Sequence, residues 1–306
     1  MSTPTTTTTT TTKNVIDAQT KILVVDGLIG AGKSTLVTAL HSYLQSLGHR
    51  VVSCLEPVQQ WMDTGILNLF YKDKVRHAYA FQTYTFVTRI QSILEQLELY
   101  SKFATVHHAA PKPVEYLILE RSVLTDRYVF MKLMEDELEP AFKTMYASWF
   151  DLHSRLLPFD LNTQAHFVYL QTSPEESMVR MNQRGRREEV GEKEKEREVK
   201  HPEQKVEQKA KGGVSLQYQQ GLHTAHLELF KTLSRNQTTI LDSKLCLNDF
   251  THYSKPGFLK IVDALQPFLQ LKSNTNKETS EIGTEHKKET HEDCDRSYLT
   301  AWDRMC

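Results

Sequence analysis

Between Lys21 and Leu271 the chain alternates between two hydrophobic rhythms. Short apolar runs, rich in β-branched residues, occur at KILVVDG (21–27), RVVSCLE (50–56), VEYLILE (114–120), AHFVYLQ (165–171) and TTILD (238–242). Runs of this length and composition predict buried strands. Between them apolar residues recur every three or four positions. This spacing predicts helices over STLVTALHSYLQSLG (34–48, closed by Gly48), FQTYTFVTRIQSILEQLELYSKF (81–103), a stretch after Glu120 through Met134, SPEESMVRMNQRG (173–185) and PGFLKIVDALQPFLQ (256–270). In SPEESMVRMNQRG, Ser173 is the expected N-cap and Pro174 the first helical residue. Strands separated by helices predict an α/β fold, a five-stranded parallel sheet flanked by helices on both faces. In such sheets ligands bind at the carboxyl ends of the strands, and the charged motifs of this chain fall there.

Three segments lack either rhythm. Residues 1–19 hold a threonine tract and polar filler, expected to be a disordered tail. Residues 272–306 are equally polar and are read as a second tail. Residues 190–213, VGEKEKEREVKHPEQKVEQKAKGG, are almost all Glu, Lys and Gln, and read as a solvated insertion into a domain spanning 20–271. The 306 residues are 39% hydrophobic with a formal net charge of −1. That balance suits one fairly large domain or two small ones, and argues against bulk nucleic-acid binding. Cys54, Cys246, Cys294 and Cys306 show no metal-ligand spacing and suggest a reducing compartment. A cytoplasmic location is expected, with a mitochondrial or nuclear one left open. No apolar run approaches the roughly 18 residues of a membrane span, and the N-terminal segment has neither an apolar signal core nor an arginine in its first twenty residues.

GLIGAGKST (Gly27, Leu28, Ile29, Gly30, Ala31, Gly32, Lys33, Ser34, Thr35) fits the phosphate-binding pattern G-x-x-x-x-G-K-[ST] between a strand and a helix. Its glycines let backbone N–H groups turn inward around phosphate oxygens, and the helix N-terminus adds partial positive charge. Lys33 can reach terminal phosphates and Ser34 can hold Mg²⁺, so a nucleoside triphosphate ligand is expected. Glu56 ends the second strand, where a carboxylate can accept the proton of an attacking hydroxyl. A purely structural Glu56 is the alternative. Glu120 ends the third strand opposite the phosphate loop and can hold Mg²⁺ directly or through water; Arg121 beside it can steady a hydroxyl and a migrating phosphoryl group. In RMNQRGRREE, helical spacing puts Arg180 and Arg184 on one face, and Arg186 follows Gly185. Guanidinium groups fit phosphate oxygens bidentately and stay charged.

GKST, EPVQQW, FQTYTFVTRI, ERSVLTDRYVF and RGRREE, in this order, resemble the deoxyribonucleoside kinases of the deoxycytidine kinase, deoxyguanosine kinase and mitochondrial-type thymidine kinase family. The resemblance covers about 21–271 apart from the insertion. It implies a P-loop kinase fold with an arginine lid formed by Arg180, Arg184 and Arg186. It also implies Mg²⁺-assisted transfer of the ATP γ-phosphate to a deoxynucleoside 5′-hydroxyl, and a homodimer. By the same resemblance Glu56 is the general base, Arg121 holds the 5′ end and Gln82 hydrogen-bonds the base edge. Phe81, Phe130 and Trp61 enclose the base, Tyr71 and Glu189 hold the 3′-hydroxyl, and Asp249 and Phe250 contact the adenine of the donor. Two departures stand out: the charged insertion directly after the lid, and Leu28, where relatives usually carry Asn.

Arg89 lies seven residues after Gln82 on one helix, so both point to one side. A buried arginine there needs a partner, and Asp126 can supply one as a bidentate acceptor. The resemblance implies that this pair marks members taking deoxycytidine, deoxyadenosine or deoxyguanosine and rejecting thymidine. Thr85 adds a hydroxyl that either meets a base substituent, favouring purines, or bonds back to its own helix. Competing readings are a thymidylate-type nucleoside monophosphate kinase, a P-loop ATPase or nucleotide switch, and an idle relative of the kinases. The ERS and FQTY motifs argue against the first, Gln82, Arg89, Phe81 and Glu56 would lack purpose in the second, and the complete residue set argues against the third.

Overall fold

A computed structural model describes residues 15–107, 112–190, 213–242 and 256–271. Asp249 and Phe250, residues 1–14, the tail from 272 onward and the insertion between Val190 and Gly213 lie outside them. Residues 15–19, expected to belong to a disordered tail, instead join the domain: Val15 and Ile16 are buried, and the carbonyl of Val15 accepts from the N–H of Val114 at 2.8 Å. The chain divides into a unit spanning Met1–Leu269 and a second spanning Gln270–Cys306, of which only two residues are described. The fold below is that of the first unit.

Five strands form one parallel sheet: β1 (Lys21–Gly27), β2 (Val51–Cys54), β3 (Tyr116–Glu120), β4 (Ala165–Gln171) and β5 (Thr238–Asp242). Their order is β2-β3-β1-β4-β5, with Val25 opposite Glu120 and Asp26 opposite Tyr169. The central strands are buried on both faces, Ile22 to Val25 and Phe167 to Leu170 being at most 1% exposed. This is why their sequences read as unbroken apolar runs. The register brings the ends of β1 and β3 side by side, so the phosphate loop after one faces Glu120 and Arg121 after the other.

All five expected strands are present, although β2 stops pairing at Cys54, two residues before Glu56. The helix after the phosphate loop, Lys33–Ser46, ends as expected, with Gly48 left-handed at φ 82° just beyond. Ser173 caps Pro174–Arg184 by accepting from the N–H of Glu176. The helix expected over 81–103 is longer, Lys74–His107. The helix expected through Met134 is not regular: one α turn at Val123–Thr125 widens into π geometry over Asp126–Met131 and tightens into a 3₁₀ stretch, Lys132–Glu137. The widened turn buries Asp126 and Met131, and such turns recur at functional sites. Helices at Val58–Asp63, Ile66–Lys72 and Pro140–Ser154 were not legible beforehand. The first two are too short for a period. The third buries only Tyr146 and Phe150 and leaves Phe142, Met145, Trp149 and Leu152 exposed, so it lacks a clean polar face.

The chain departs at Val190 and returns at Gly213, almost to the same point. The N–H of Val214 donates to the carbonyl of Glu189 at 2.8 Å, and Lys74 Nζ donates to the carbonyl of Gly213 at 2.9 Å. The helix that follows, Leu216–Thr232, lies against the phosphate loop: Gln219 Nε2 donates to the carbonyl of Ile29 at 2.8 Å.

Candidate active site

One cavity of about 470 Å³ opens at the carboxyl ends of β1, β2 and β3. From the phosphate loop it takes Ile29, Gly30, Gly32, Lys33, Ser34 and Thr35; Leu28 and Ala31 are fully buried and face the core instead. Gly30 is left-handed at φ 87°, and a Cβ there would meet the carbonyl of Ser177 at 2.7 Å, so the loop needs glycine at that position. The same cavity is lined by Glu56, Trp61, Tyr71, Phe81, Gln82, Glu120, Arg121, Asp126, Phe130, Arg180, Arg184, Arg186 and Glu189. The residues singled out from the sequence within the described part of the chain therefore reach one space, apart from Gly27, Leu28, Ala31 and Arg89; Arg89 stands behind the wall and acts through Asp126 and Glu56. Sequence reasoning missed Leu55, Val58, Leu67, Phe70 and Tyr218 on its wall. Leu55 lies in the link after β2, Val58, Leu67 and Phe70 lie in helices too short to see, and Tyr218 comes from beyond the insertion.

At the phosphate end Lys33 Nζ donates to the carbonyl of Leu28 at 3.0 Å and lies 3.9 Å from Glu120 Oε1. Burial, reinforced by the Arg121 charge, lowers the Lys33 pKa to about 8. Ser34 Oγ donates to Glu120 Oε1 at 2.9 Å. A hydroxyl and a carboxylate so close are the hard oxygen donors that suit Mg²⁺, which takes one or two protein oxygens and leaves its other positions to water and phosphate.

Glu56 sits between two guanidinium groups. Its Oε1 accepts from Arg89 Nη2 at 3.0 Å and lies 3.3 Å from Arg121 Nε. The Arg121 approach is an ion pair without hydrogen-bond alignment, and Arg121 Nε is otherwise unpartnered. Burial works to raise the Glu56 pKa, but Arg121, Arg89 and Lys33 outweigh it and hold it at about 2. Glu56 is thus a fixed carboxylate at neutral pH. Arg121 has φ 63°, a left-handed conformation uncommon for a residue with a side chain, and its guanidinium lies 4.8 Å from the Phe130 ring centroid.

At the other end Arg89 and Asp126 form the expected bidentate pair, Nε to Oδ2 at 2.7 Å and Nη2 to Oδ1 at 2.9 Å. Arg89 Nη1 also donates to the carbonyl of Glu120 at 2.8 Å. Burial raises the Asp126 carboxyl above its ordinary pKa, and the Arg89 charge opposes this only in part. Gln82 Nε2 is buried with no hydrogen-bond partner. An unsatisfied buried donor costs about 1–3 kcal/mol, so a ligand acceptor at this position would be favoured. Thr85 lines the cavity, but its hydroxyl donates to the carbonyl of Gln82 at 2.9 Å. The structure therefore realises the helix-bonded alternative, and the tilt toward purines has no support from it. Phe81 stacks on Phe70 with centroids 4.5 Å apart and meets Trp61 edge-on at 5.7 Å, while Trp61 Nε1 donates to Thr88 Oγ1 at 2.9 Å.

The lid arginines are held by carboxylates. Arg180 pairs with Glu176, and Arg184 and Arg186 both pair with Glu189, the second at 3.3 Å. Burial, the Tyr218 hydroxyl and the Glu189 charge keep the Tyr71 hydroxyl well above its usual pKa, so it is a donor.

Residues 23–196 match the model of a family described as deoxynucleoside kinase. The chain is 32% identical over 174 residues to a fowlpox virus (strain NVSL) protein called "Probable deoxycytidine kinase", covering 55% of this chain and 63% of that one. It is 32% identical over 187 residues to deoxycytidine kinase 2 of Gallus gallus, covering 55% and 66%. Against deoxycytidine kinase of Homo sapiens it is 28% identical over 271 residues, covering 81% and 91%. The chain thus spans just under two thirds of the first two proteins and most of the third.

Proposed function

Since the chain belongs to the deoxynucleoside kinase family, we propose that it transfers the γ-phosphate of ATP to the 5′-hydroxyl of deoxycytidine, deoxyadenosine or deoxyguanosine and discriminates against thymidine. The observation that carries this reading is that the site residues share one cavity. A phosphate loop at one end, a fixed carboxylate between two arginines in the middle, and an aromatic slot with an unsatisfied Gln82 donor at the other suit a triphosphate, a hydroxyl and a base in line. The relatives' names agree with this substrate class. A nucleotide switch or ATPase would leave the second half of the cavity idle. Turnover of ATP labelled at the γ-phosphate with a mixture of deoxynucleosides tests the proposal: label should appear in nucleoside 5′-monophosphates, and label found only in inorganic phosphate would refute it.

Glu56 accepts a hydrogen bond from the 5′-hydroxyl and orients its lone pair toward the phosphorus. Phosphoryl transfer passes through a loose transition state that needs little early deprotonation. A carboxylate of pKa about 2 therefore takes the proton late, once bonding to phosphorus has made the hydroxyl oxygen acidic. Arg121, 3.3 Å from Glu56, steadies the same hydroxyl and the phosphoryl group in flight. Lys33 and the lid arginines Arg180, Arg184 and Arg186 compensate negative charge on the phosphate oxygens. Ser34 and Glu120 would hold Mg²⁺, which when bound adds positive charge at the phosphates. Tyr71 and Glu189 receive the 3′-hydroxyl, and Gln82 with Phe81, Phe130 and Trp61 receives the base. Asp249 and Phe250 remain the proposed contacts for the adenine of ATP.

The shifts of Lys33 and Glu56 set a pH dependence. Lys33 is lowered to about 8, so its charge is present below that pH and is lost as pH rises through it. Glu56 stays ionised at every pH above about 2. The expected profile of kcat/KM for ATP is flat from about pH 5 to 7 and falls above about pH 8. A profile that instead rises through the alkaline range would exclude charged Lys33 from ATP capture.

Removal of Glu192–Lys211 should leave a folded, active protein, because the chain ends flanking the insertion already meet through the Val214–Glu189 hydrogen bond and loop length itself costs little. Loss of turnover with an unchanged Tm would make the insertion part of the lid. We also propose a homodimer. Phe142, Met145, Trp149, Leu152 and Leu156, between 39% and 57% exposed, repeat at three- and four-residue intervals along and just past Pro140–Ser154, the spacing of a helix–helix seam. Light scattering of the deleted and full chains should both give the mass of two subunits.

A further inference from the structure

The sequence β1 is apolar except at its ends, and the residue before Gly27 is an aspartate. Asp26 is fully buried, at 0% exposure. An isolated buried carboxylate is costly, so what surrounds it indicates what it is for. Its Oδ1 accepts from the N–H of Gly27 at 2.8 Å and from Arg121 Nη1 at 3.0 Å, and lies 3.0 Å from His226 Nε2. Its Oδ2 accepts from Thr125 Oγ1. One carboxylate thus joins the first residue of the phosphate loop, the arginine after β3, the turn that follows it, and the helix Leu216–Thr232. Burial works to raise the carboxyl, but His226, Arg121 and the Thr125 hydrogen bond outweigh it and hold the group below its usual range.

Asp26 does not line the cavity, whereas Arg121 does. The guanidinium of Arg121 is suspended between two carboxylates, Asp26 on Nη1 with hydrogen-bond alignment and Glu56 near Nε without it. Its backbone is left-handed, so the side chain leaves β3 in a direction that the strand alone would not give it. If the Asp26 contact were absent, Glu56 would be the remaining carboxylate partner. Arg121 would then close onto Glu56, cover the oxygen that must accept the 5′-hydroxyl and withdraw from the phosphoryl path.

We infer that Asp26 is a positioning residue for phosphoryl transfer: it holds Arg121 off Glu56, in register with the phosphate loop, so that guanidinium and carboxylate remain two separate groups facing the acceptor hydroxyl. The inference rests on the kinase reading given above. It predicts an effect on chemistry and not on capture, since Asp26 touches neither the base slot nor Lys33, and its contact with the phosphate loop is confined to the Gly27 N–H, outside the cavity.

The test is a double-mutant cycle on the full chain. Asp26→Asn should lower kcat by about 10–100-fold, the scale of a misplaced reacting group, with KM for ATP and for deoxycytidine within about threefold of wild type. In an Arg121→Gln background the same substitution should cost less than about threefold more, because the group through which Asp26 acts is already gone. Losses that multiply in the double variant would make Asp26 merely structural and overturn the inference. If Asp26→Asn does not yield folded protein, Asp26→Glu, which moves the carboxylate by one methylene, serves in its place. Whatever change in kcat it brings must disappear in the Arg121→Gln background, and a change that persists there overturns the inference equally. Wild-type turnover is the control. A wild-type chain that phosphorylates no deoxynucleoside overturns the kinase reading and the positioning role with it, whereas multiplicative losses on an active wild type overturn the positioning role alone.

Discussion

Glu56→Gln lowers kcat by about 10²–10⁴, the range for loss of a general base, and leaves deoxynucleoside affinity largely intact. The amide keeps the shape of the side chain but removes the charge that balances Arg89 and Arg121, 3.0 and 3.3 Å away. A neutral amide is a poorer acceptor for the 5′-hydroxyl and cannot take its proton at the end of transfer. Both arginines keep a carboxylate partner, Asp126 for Arg89 and Asp26 for Arg121, so the fold should survive. Stopped-assay turnover and calorimetric binding on the same variant separate the two effects. Near-normal kcat would remove Glu56 from the mechanism.

The second large effect concerns base selection. Arg89 and Asp126 are 3% and 2% exposed, and breaking such a buried pair from one side leaves an uncompensated charge. Arg89→Met alone should cost about 3–5 kcal/mol of stability. Arg89→Met with Asp126→Ala removes both charges and should recover much of that loss. It should also raise thymidine use relative to the purine deoxynucleosides, because the double change empties space at the base edge and removes an ionised acceptor. Thermal melting gives the first comparison, and the ratio of kcat/KM values gives the second. An unchanged ratio would mean that the pair supports the fold and does not select the base.

Much of this site was legible because its chemistry is local in the sequence. The phosphate loop needs consecutive residues, and Glu56, Glu120 and Arg121 each follow an apolar run whose end marks the ligand side of a parallel sheet. The Arg89–Asp126 pair was legible for a different reason: a charge on a helix facing the interior must be neutralised, and the chain offered an acid in the right motif. The helix Val58–Asp63 carries Trp61 and the helix Ile66–Lys72 carries Phe70 and Tyr71, but six or seven residues do not establish a period. The π turn over Asp126–Met131 departs from the α period, and periodicity read it as an ordinary helix. Tyr218 and His226 come from a helix separated from the lid by the insertion, so nothing in the linear order ties them to the phosphate loop. Asp26 was hidden at the end of an otherwise apolar strand; a carboxylate directly before a phosphate loop is a signal, but its partner Arg121 lies 95 residues away in sequence.

Steady-state kinetics with ATP and each of the four deoxynucleosides tests the central claim most directly. The account predicts 5′-monophosphate formation with deoxycytidine, deoxyadenosine or deoxyguanosine as the best substrate and thymidine as the poorest. Thymidine as the best substrate would contradict the reading of Arg89 and Asp126, and ATP hydrolysis with no nucleotide product from any of the four would contradict the kinase assignment itself.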